Sequence, residues 1–222
     1  ANTTSGFSIV KYTGTGANAT VGTGLGVAPK MILFKDTTNG STNWSIYHKS
    51  IGAGYRLTLN DTSAQQGSDS TYYQNTDPSS SLIYLGSNSR ANASGAVTIA
   101  YCFAPVKGFS AMGSYVGNGN VDGPFIYTNG MKPAFVLIKN SGASGGWLLV
   151  DNKRNPENIV DKKLFANLTN ADGTANVCDF VSNGFKIRTT DGSQNDNGNT
   201  YIYLAFAEAP LVGSNNVPAT AR

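Results

Sequence analysis

Histidine is almost absent, with one residue in 222, and charge is scarce, with 13% of residues Asp, Glu, Lys or Arg. Enzymes that move protons or hold metals draw on His, Cys and clustered carboxylates, so the chain starts with few of the means. Its two cysteines, Cys102 and Cys178, are too few for a disulfide framework. They are expected as small free apolar side chains, with one bridge between them as the alternative. Apolar runs such as Met31-Ile32-Leu33-Phe34 fall far short of the ~20 residues that cross a bilayer as a helix. The net charge of +3 comes from scattered Lys and Arg with no basic run or stripe, which argues against nucleic acid as a partner. Ala1 stands first with no leader pattern after it, so a processed chain or a piece of a longer one is expected.

What is abundant is turn chemistry. The 26 glycines, with Thr, Ser and Asn, crowd the segments between short apolar runs, the composition of strands joined by many turns. The chain also resembles itself. Gly6-Phe7-Ser8 followed by Tyr12-Thr13-Gly14-Thr15-Gly16 returns as Gly108-Phe109-Ser110 followed by Tyr115-Val116-Gly117-Asn118-Gly119. Pro29 to Lys35 matches Pro133 to Lys139, Trp44 matches Trp147, and Ile99, Tyr101 and Phe103 match Ile202, Leu204 and Phe206. A spacing of about 102 to 104 residues holds across most of the length, which points to duplication.

The expected fold is therefore all-β: two tandem related β-sandwich or jelly-roll-like repeats packed together, over 1–105 and 106–211, with an extended tail over 212–222. In Val97 to Phe103 the large side chains alternate with small ones, and the large set is expected to face the core. The same pattern sends Ile202, Leu204 and Phe206 inward and Tyr201 and Tyr203 outward. One stretch, Glu157 to Leu164 after Pro156, reads as about two helical turns.

Catalytic patterns fail on context. His48 lies in a predicted strand, and the second copy has Asp151 at its place, so a surface or hydrogen-bonded structural role is expected. Gly142-Ala143-Ser144-Gly145-Gly146 spells a serine-hydrolase elbow, but a strand follows it where that elbow needs a helix. Gly14-Thr15-Gly16 and Gly22-Thr23-Gly24-Leu25-Gly26 likewise lack the helix of a phosphate loop and read as turns. Asp191 to Asn199 is rich in oxygen but lacks the spacing of a calcium loop, and reads as a solvated turn. Asp61, Asp69, Asp77, Asp151, Glu157 and Asp161 could supply a glycosidase pair, but nothing selects one. No catalytic residue, metal or cofactor is expected. Asn-x-Ser/Thr strings such as Asn18-Ala19-Thr20 and Asn92-Ala93-Ser94 follow from composition alone.

Positions shared by both copies serve the shared fold first, so Trp44 and Trp147 are expected in the core. The segments that differ most are Thr62 to Ser81 and Asp151 to Lys163. In the first, Tyr72, Tyr73, Gln74 and Asn75 combine aromatic faces with amides, suited to carbohydrate; core burial and cross-strand pairing are the alternative. In the second, Lys153 and Arg154 could meet an anionic glycan or a neighbouring subunit, or form a local ion pair in a solvated loop.

Tyr12 to Gly16, Leu25 to Ile32, Asn43 to Lys49 and Asn92 to Gly95, with a second set in Gly113 to Gly119 and Phe135 to Lys139, resemble a repeat domain of bacteriophage virion proteins such as tail fibres and tail spikes, common in marine phages. The resemblance spans nearly the whole chain. It implies a non-enzymatic virion structural module, extracellular at a tail fibre or particle surface. Other virion proteins, further copies of the chain (a trimer among the options) and a host surface glycan are the implied partners, with no insertion into a membrane. A purely architectural fibre or capsid-decoration subunit is the alternative, and a glycan depolymerase the more distant one. The resemblance transfers no ligand residues.

Overall fold

The structure, a computed structural model, describes residues 1–208, so the tail expected over 212–222 lies outside the described residues. The chain divides into two compact units, Ala1–Pro105 and Val106–Arg222. Both are built of strands, because β-branched and aromatic runs alternate with Gly- and Asn-rich turns too closely for helices to extend.

The first unit contains β1 (Phe7–Thr13), β2 (Ala19–Gly22), β3 (Met31–Asp36), β4 (Ser45–His48), β5 (Tyr55–Thr58), β6 (Gln66–Gly67), the one-turn helix α1 (Ser70–Tyr73), β7 (Leu82–Leu85), the one-turn helix α2 (Ser89–Asn92) and β8 (Val97–Phe103). Six strands form a sheet in the order β1-β8-β3-β4-β5-β6, and β2 pairs with β7. Ile83 and Leu85 of β7 join Phe34, Ala100 and Cys102 of the large sheet in one core that also takes in Tyr73 of α1. Full burial of each large apolar side chain there contributes about 1.5–3 kcal/mol.

The second unit contains β9 (Ser110–Val116), β10 (Phe125–Tyr127), β11 (Pro133–Asn140), β12 (Leu148–Asp151), β13 (Val160–Phe165), β14 (Gly173–Val181), β15 (Gly184–Ile187) and β16 (Thr200–Ala207). They form one sheet in the order β10-β15-β14-β13-β12-β11-β16-β9. That sheet folds over on itself: Phe185 of β15 meets Tyr115 of β9 and Tyr203 of β16 edge-on, at 6.2 and 5.5 Å between ring centres. Counted from the first strand of each unit, the strands follow one order in both. The difference is that β14 bonds directly to β15, whereas α1 intervenes between β6 and β7.

The core faces of β8 and β16 are the reverse of the expectation. Thr98, Ala100 and Cys102 are fully buried while Val97, Ile99, Tyr101 and Phe103 are only half-buried. In β16 it is Tyr201, Tyr203 and Ala205 that join the core cluster, and Ile202 and Leu204 are buried on the opposite face. The small Ala100 and Cys102 share the core with Phe34, Tyr73, Ile83 and Leu85, and the large set packs on the other side, with Phe103 against Phe7 at 4.9 Å and Tyr101 against Trp44 at 6.0 Å. Trp44 is accordingly half-buried on that outer face, whereas Trp147 is buried as expected.

The helix expected over Glu157 to Leu164 is absent: bends over 157–159 lead into strand β13. Asparagine side chains compete for the backbone there. Asn155 Oδ1 accepts from the Lys162 N–H at 2.6 Å, and the Asn158 carboxamide exchanges two 2.9 Å hydrogen bonds with the Phe180 backbone, tying the segment to β14.

Candidate functional site

Tyr72 to Asn75 lie on and just after α1. Asp69 caps the helix by accepting from the Thr71 N–H at 2.8 Å, and Gln74 ends it in the left-handed region at φ 55°. One turn of helix sends adjacent residues in different directions, so the four do not share a surface. Tyr73 is buried, stacked on Phe34 at 5.6 Å with its hydroxyl 3.1 Å from Ser45 Oγ. Gln74 donates from Nε2 to the carbonyls of Ala19 and Leu85, at 2.9 and 2.8 Å, and so bridges β2 and β7. Tyr72 is half-buried under the guanidinium of Arg56, 4.8 Å from its ring centre, and Asn75 is exposed. Tyr73 and the Gln74 carboxamide thus build the unit, Tyr72 and Gln74 are half-buried, and Asn75 alone of the four is exposed.

Lys153 and Arg154 also part company. Arg154 donates to Asp151 at 2.7 Å, Asp172 at 3.0 Å and the Leu149 carbonyl at 3.3 Å, so its guanidinium is spent within the unit. Lys153 is exposed and pairs with Glu208 at 3.1 Å. Such exposed pairs contribute little to stability. The region therefore forms the local ion-pair network, with Lys153 as its one outward cation.

Of the six candidate carboxylates, Glu157 is exposed, Asp161 has one buried oxygen without a hydrogen-bond partner, and the other four are drawn into turns and pairs. Asp61 accepts from the Ser63 N–H, Asp69 caps α1, Asp77 receives the Tyr47 hydroxyl and Lys49, and Asp151 holds Arg154. Burial alone would raise Asp61, Asp77 and Asp151, but these hydrogen bonds and cations outweigh it and hold all three below the usual range. A glycosidase acid needs the opposite displacement. His48 is wholly buried in β4 rather than on the surface, with Nδ1 accepting from the Ser50 N–H at 3.2 Å. Ser144 is exposed in the loop before β12, with no helix after it. In the Asp191 to Asn199 loop, Asp191 pairs with Lys163 at 2.9 Å, and Gln194 and Asn195 are fully buried rather than solvated. Cys102 and Cys178 are both free and buried.

Two features were missed from the sequence. The first is the pair Asn92 and Asn195, whose buried carboxamides pin matching backbone groups in the two units. Their shared spacing of 103 residues was the available signal.

The second is an exposed aromatic pair. Strand β10 lies at the edge of its sheet; Ile126 points into the core while Phe125 and Tyr127 stand outward, 49% and 58% exposed. Directly opposite them on β15 are Lys186 and Gly184. Lys186 pairs with Asp122 at 2.8 Å, and Arg188 reaches Asp122 at 3.6 Å and Asp179 at 2.5 Å. The first unit has no such pair. Thr23 N–H bonds to the Ser81 carbonyl as Thr128 N–H does to that of Asn183, which sets Thr20 and Gly22 at the places of Phe125 and Tyr127. Outward aromatics either side of an inward Ile, just after Gly123-Pro124, were visible in the sequence as alternation.

In comparison with protein families, the model described as a domain of unknown function (DUF7483) matches residues 1–210, and therefore reaches both units. No curated protein and no solved structure matches significantly.

Proposed function

The chain belongs to the DUF7483 family, and for this member we propose a non-enzymatic role as a structural module of a phage particle, most specifically the receptor-binding region of a tail fibre. The observation that carries the reading is the ordered run of motifs, from Tyr12-Thr13-Gly14-Thr15-Gly16 to Phe135-Val136-Leu137-Ile138-Lys139, which resembles the repeat domain of such proteins in both halves of the chain. We read the units as two copies of one jelly-roll-like sandwich. Their common strand order and the matched hydrogen bonds of Asn92 and Asn195 support that reading.

A rigid sheet framework with variable loops and faces suits recognition, since the scaffold fixes what the surface presents. The polar groups that could have served catalysis are instead used within the units: His48 is buried in a strand, and Asp61, Asp69, Asp77 and Asp151 close turns or pair with cations. The partner in this role is a surface glycan of the host cell.

Competition tests it. Purified chain added to host cells before the phage is expected to slow adsorption in proportion to its concentration. Unchanged adsorption, with particles lacking the chain still infecting normally, would leave only a decorative role.

A further inference from the structure

We propose that the outward face of β10, β15 and β14 binds an uncharged oligosaccharide, with Phe125 and Tyr127 as stacking rings and Asp122, Lys186 and Arg188 as its hydrogen-bonding border. This rests on the attachment reading above and gives it a site. Alternate residues of one strand leave the same side of a sheet roughly 6.5–7 Å apart. Two half-exposed rings at that separation offer neighbouring platforms to a chain of pyranose rings, whose C–H faces stack on aromatic faces.

Sugar hydroxyls also need fixed donors and acceptors beside the rings. Lys186, opposite Phe125, is held by Asp122 at 2.8 Å and by the Gly123 carbonyl at 2.9 Å. Arg188 is oriented between Asp122 and Asp179. Asp122 is the outermost member, with its side chain 75% exposed. The sheet edge adds more. The Ile187 N–H bonds to the Pro124 carbonyl and the Thr128 N–H to the Asn183 carbonyl, so in the alternation of an antiparallel pair the peptide groups of Phe125 turn to the open edge.

Charge selects the class of ligand. Two cations, Lys186 and Arg188, stand with two anions, Asp122 and Asp179, so the face carries no net charge with which to draw an ion from water. Gly184, opposite Tyr127, keeps the floor flat, and a side chain there would collide with the Ile126 carbonyl and crowd the Phe125 ring. Thr20 and Gly22 at the matching places of β2 give the first unit no aromatic pair, so one site per chain follows.

The test is binding of the full chain to an array of neutral gluco-, galacto- and manno-oligosaccharides beside sulfated and sialylated counterparts, then titration calorimetry of the strongest neutral ligand. The expected result is preference for neutral ligands and a stoichiometry of one. Phe125→Ala/Tyr127→Ala should bind about tenfold or more weaker while still folding cooperatively, because both rings are half-exposed and lie outside the core. Thr20→Ala should bind like the parent. Binding confined to charged glycans, no glycan binding, or full affinity in the double variant would overturn the site. So would a drop in mass of the double variant by ultracentrifugation without loss of glycan binding, which would make the face an interface between copies. If the double variant still blocks phage adsorption as the parent does, this site fails while the attachment role stands.

Discussion

Asn92 and Asn195 hold the same three backbone groups in the two units. Each Oδ1 accepts from the backbone of the glycine-turn segment, Thr15 N–H at 2.8 Å and Asn118 N–H at 2.9 Å. Each Nδ2 donates onward, to Ala17 and Gly86 carbonyls at 2.7 Å in one unit, and to Asn120 and Thr189 carbonyls at 2.7 and 2.6 Å in the other. Nearby hydroxyls repeat the pattern: Tyr12 donates to the Ala91 carbonyl at 2.5 Å and Tyr115 to the Gln194 carbonyl at 2.8 Å. The buried amide thus ties the turn after the first strand to the segment that enters the last.

Removing that amide takes the partner from three backbone groups at once and empties a buried polar position, with Gly86 buried and Thr189 half-buried among the acceptors. Asn92→Ala and Asn195→Ala are each expected to destabilise by about 2–4 kcal/mol, since each unsatisfied buried group costs about 1–3 kcal/mol. Urea denaturation checks this. A loss below about 1 kcal/mol at either site would mean that water replaces the amide. Burial of Asn92 also predicts no glycan on Asn92-Ala93-Ser94 in the folded chain, which intact-mass measurement after expression in a glycosylating host would reveal.

Gly14 and Gly117 form the second matched pair. A Cβ at Gly14 would fall on the Ala93 carbonyl oxygen, and one at Gly117 on that of Asp196, so in each case backbone blocks the space. Gly14→Ala and Gly117→Ala should each cost more than about 2 kcal/mol, and Gly40→Ala, which meets open space, no more than about 0.5 kcal/mol. Equal effects at all three positions, read from thermal melts, would contradict the packing described.

Much of the framework was legible because matched motifs recur in the two halves: strands and turn glycines follow from them, and they placed Trp147 in the core correctly but Trp44 wrongly. Which face of β8 and β16 meets the core was not. Both faces carry apolar side chains, and alternation of size gives a period without a direction; the small Ala100 and Cys102 face inward, where Phe34, Tyr73, Ile83 and Leu85 complete the core. The candidate site was read less well. Burial of a tyrosine at this segment was one of the two readings open, but which of Tyr72 and Tyr73 turns inward was not legible, because a one-turn helix leaves no periodic mark, while Phe125 and Tyr127 passed unnoticed in a strand of three residues.

Burial pushes the Cys102 thiol up to about 12, and burial with the neighbouring Asp179 raises Cys178 as well. Neither thiol is expected to react with iodoacetamide at pH 8 in the native chain, and both should react in urea without prior reduction, where an ordinary thiol ionises near about 8.5. Raised folded values mean that this contribution to stability is complete below the unfolded value and lost as pH rises above it. Labelling of one thiol in the native state, counted by mass spectrometry, would place that cysteine nearer the surface.

Asp36 accepts from the Thr38 and Asn39 backbone at 2.8 and 2.9 Å and from the Asn39 side chain at 2.7 Å. Burial would raise it, but these bonds win and hold it below the usual carboxylate range. A folded value below the unfolded ~3.9 makes its contribution complete above about pH 4 and lost as pH falls through the folded value. Asn140 does the same work without charge, accepting from Gly142 and Ala143 N–H at 3.0 Å. Asp36→Asn should therefore fold normally at pH 7 and lose less stability than the parent between pH 4 and 2. Parallel acid melting curves for the two proteins would assign the acid sensitivity elsewhere.

Immunogold electron microscopy of purified phage particles, with antibody raised against this chain, tests the central claim most directly. The predicted result is gold at the tail fibres or tail tip of intact particles. Particles free of label, with the chain recovered only from the soluble fraction of the lysate, would contradict a virion role.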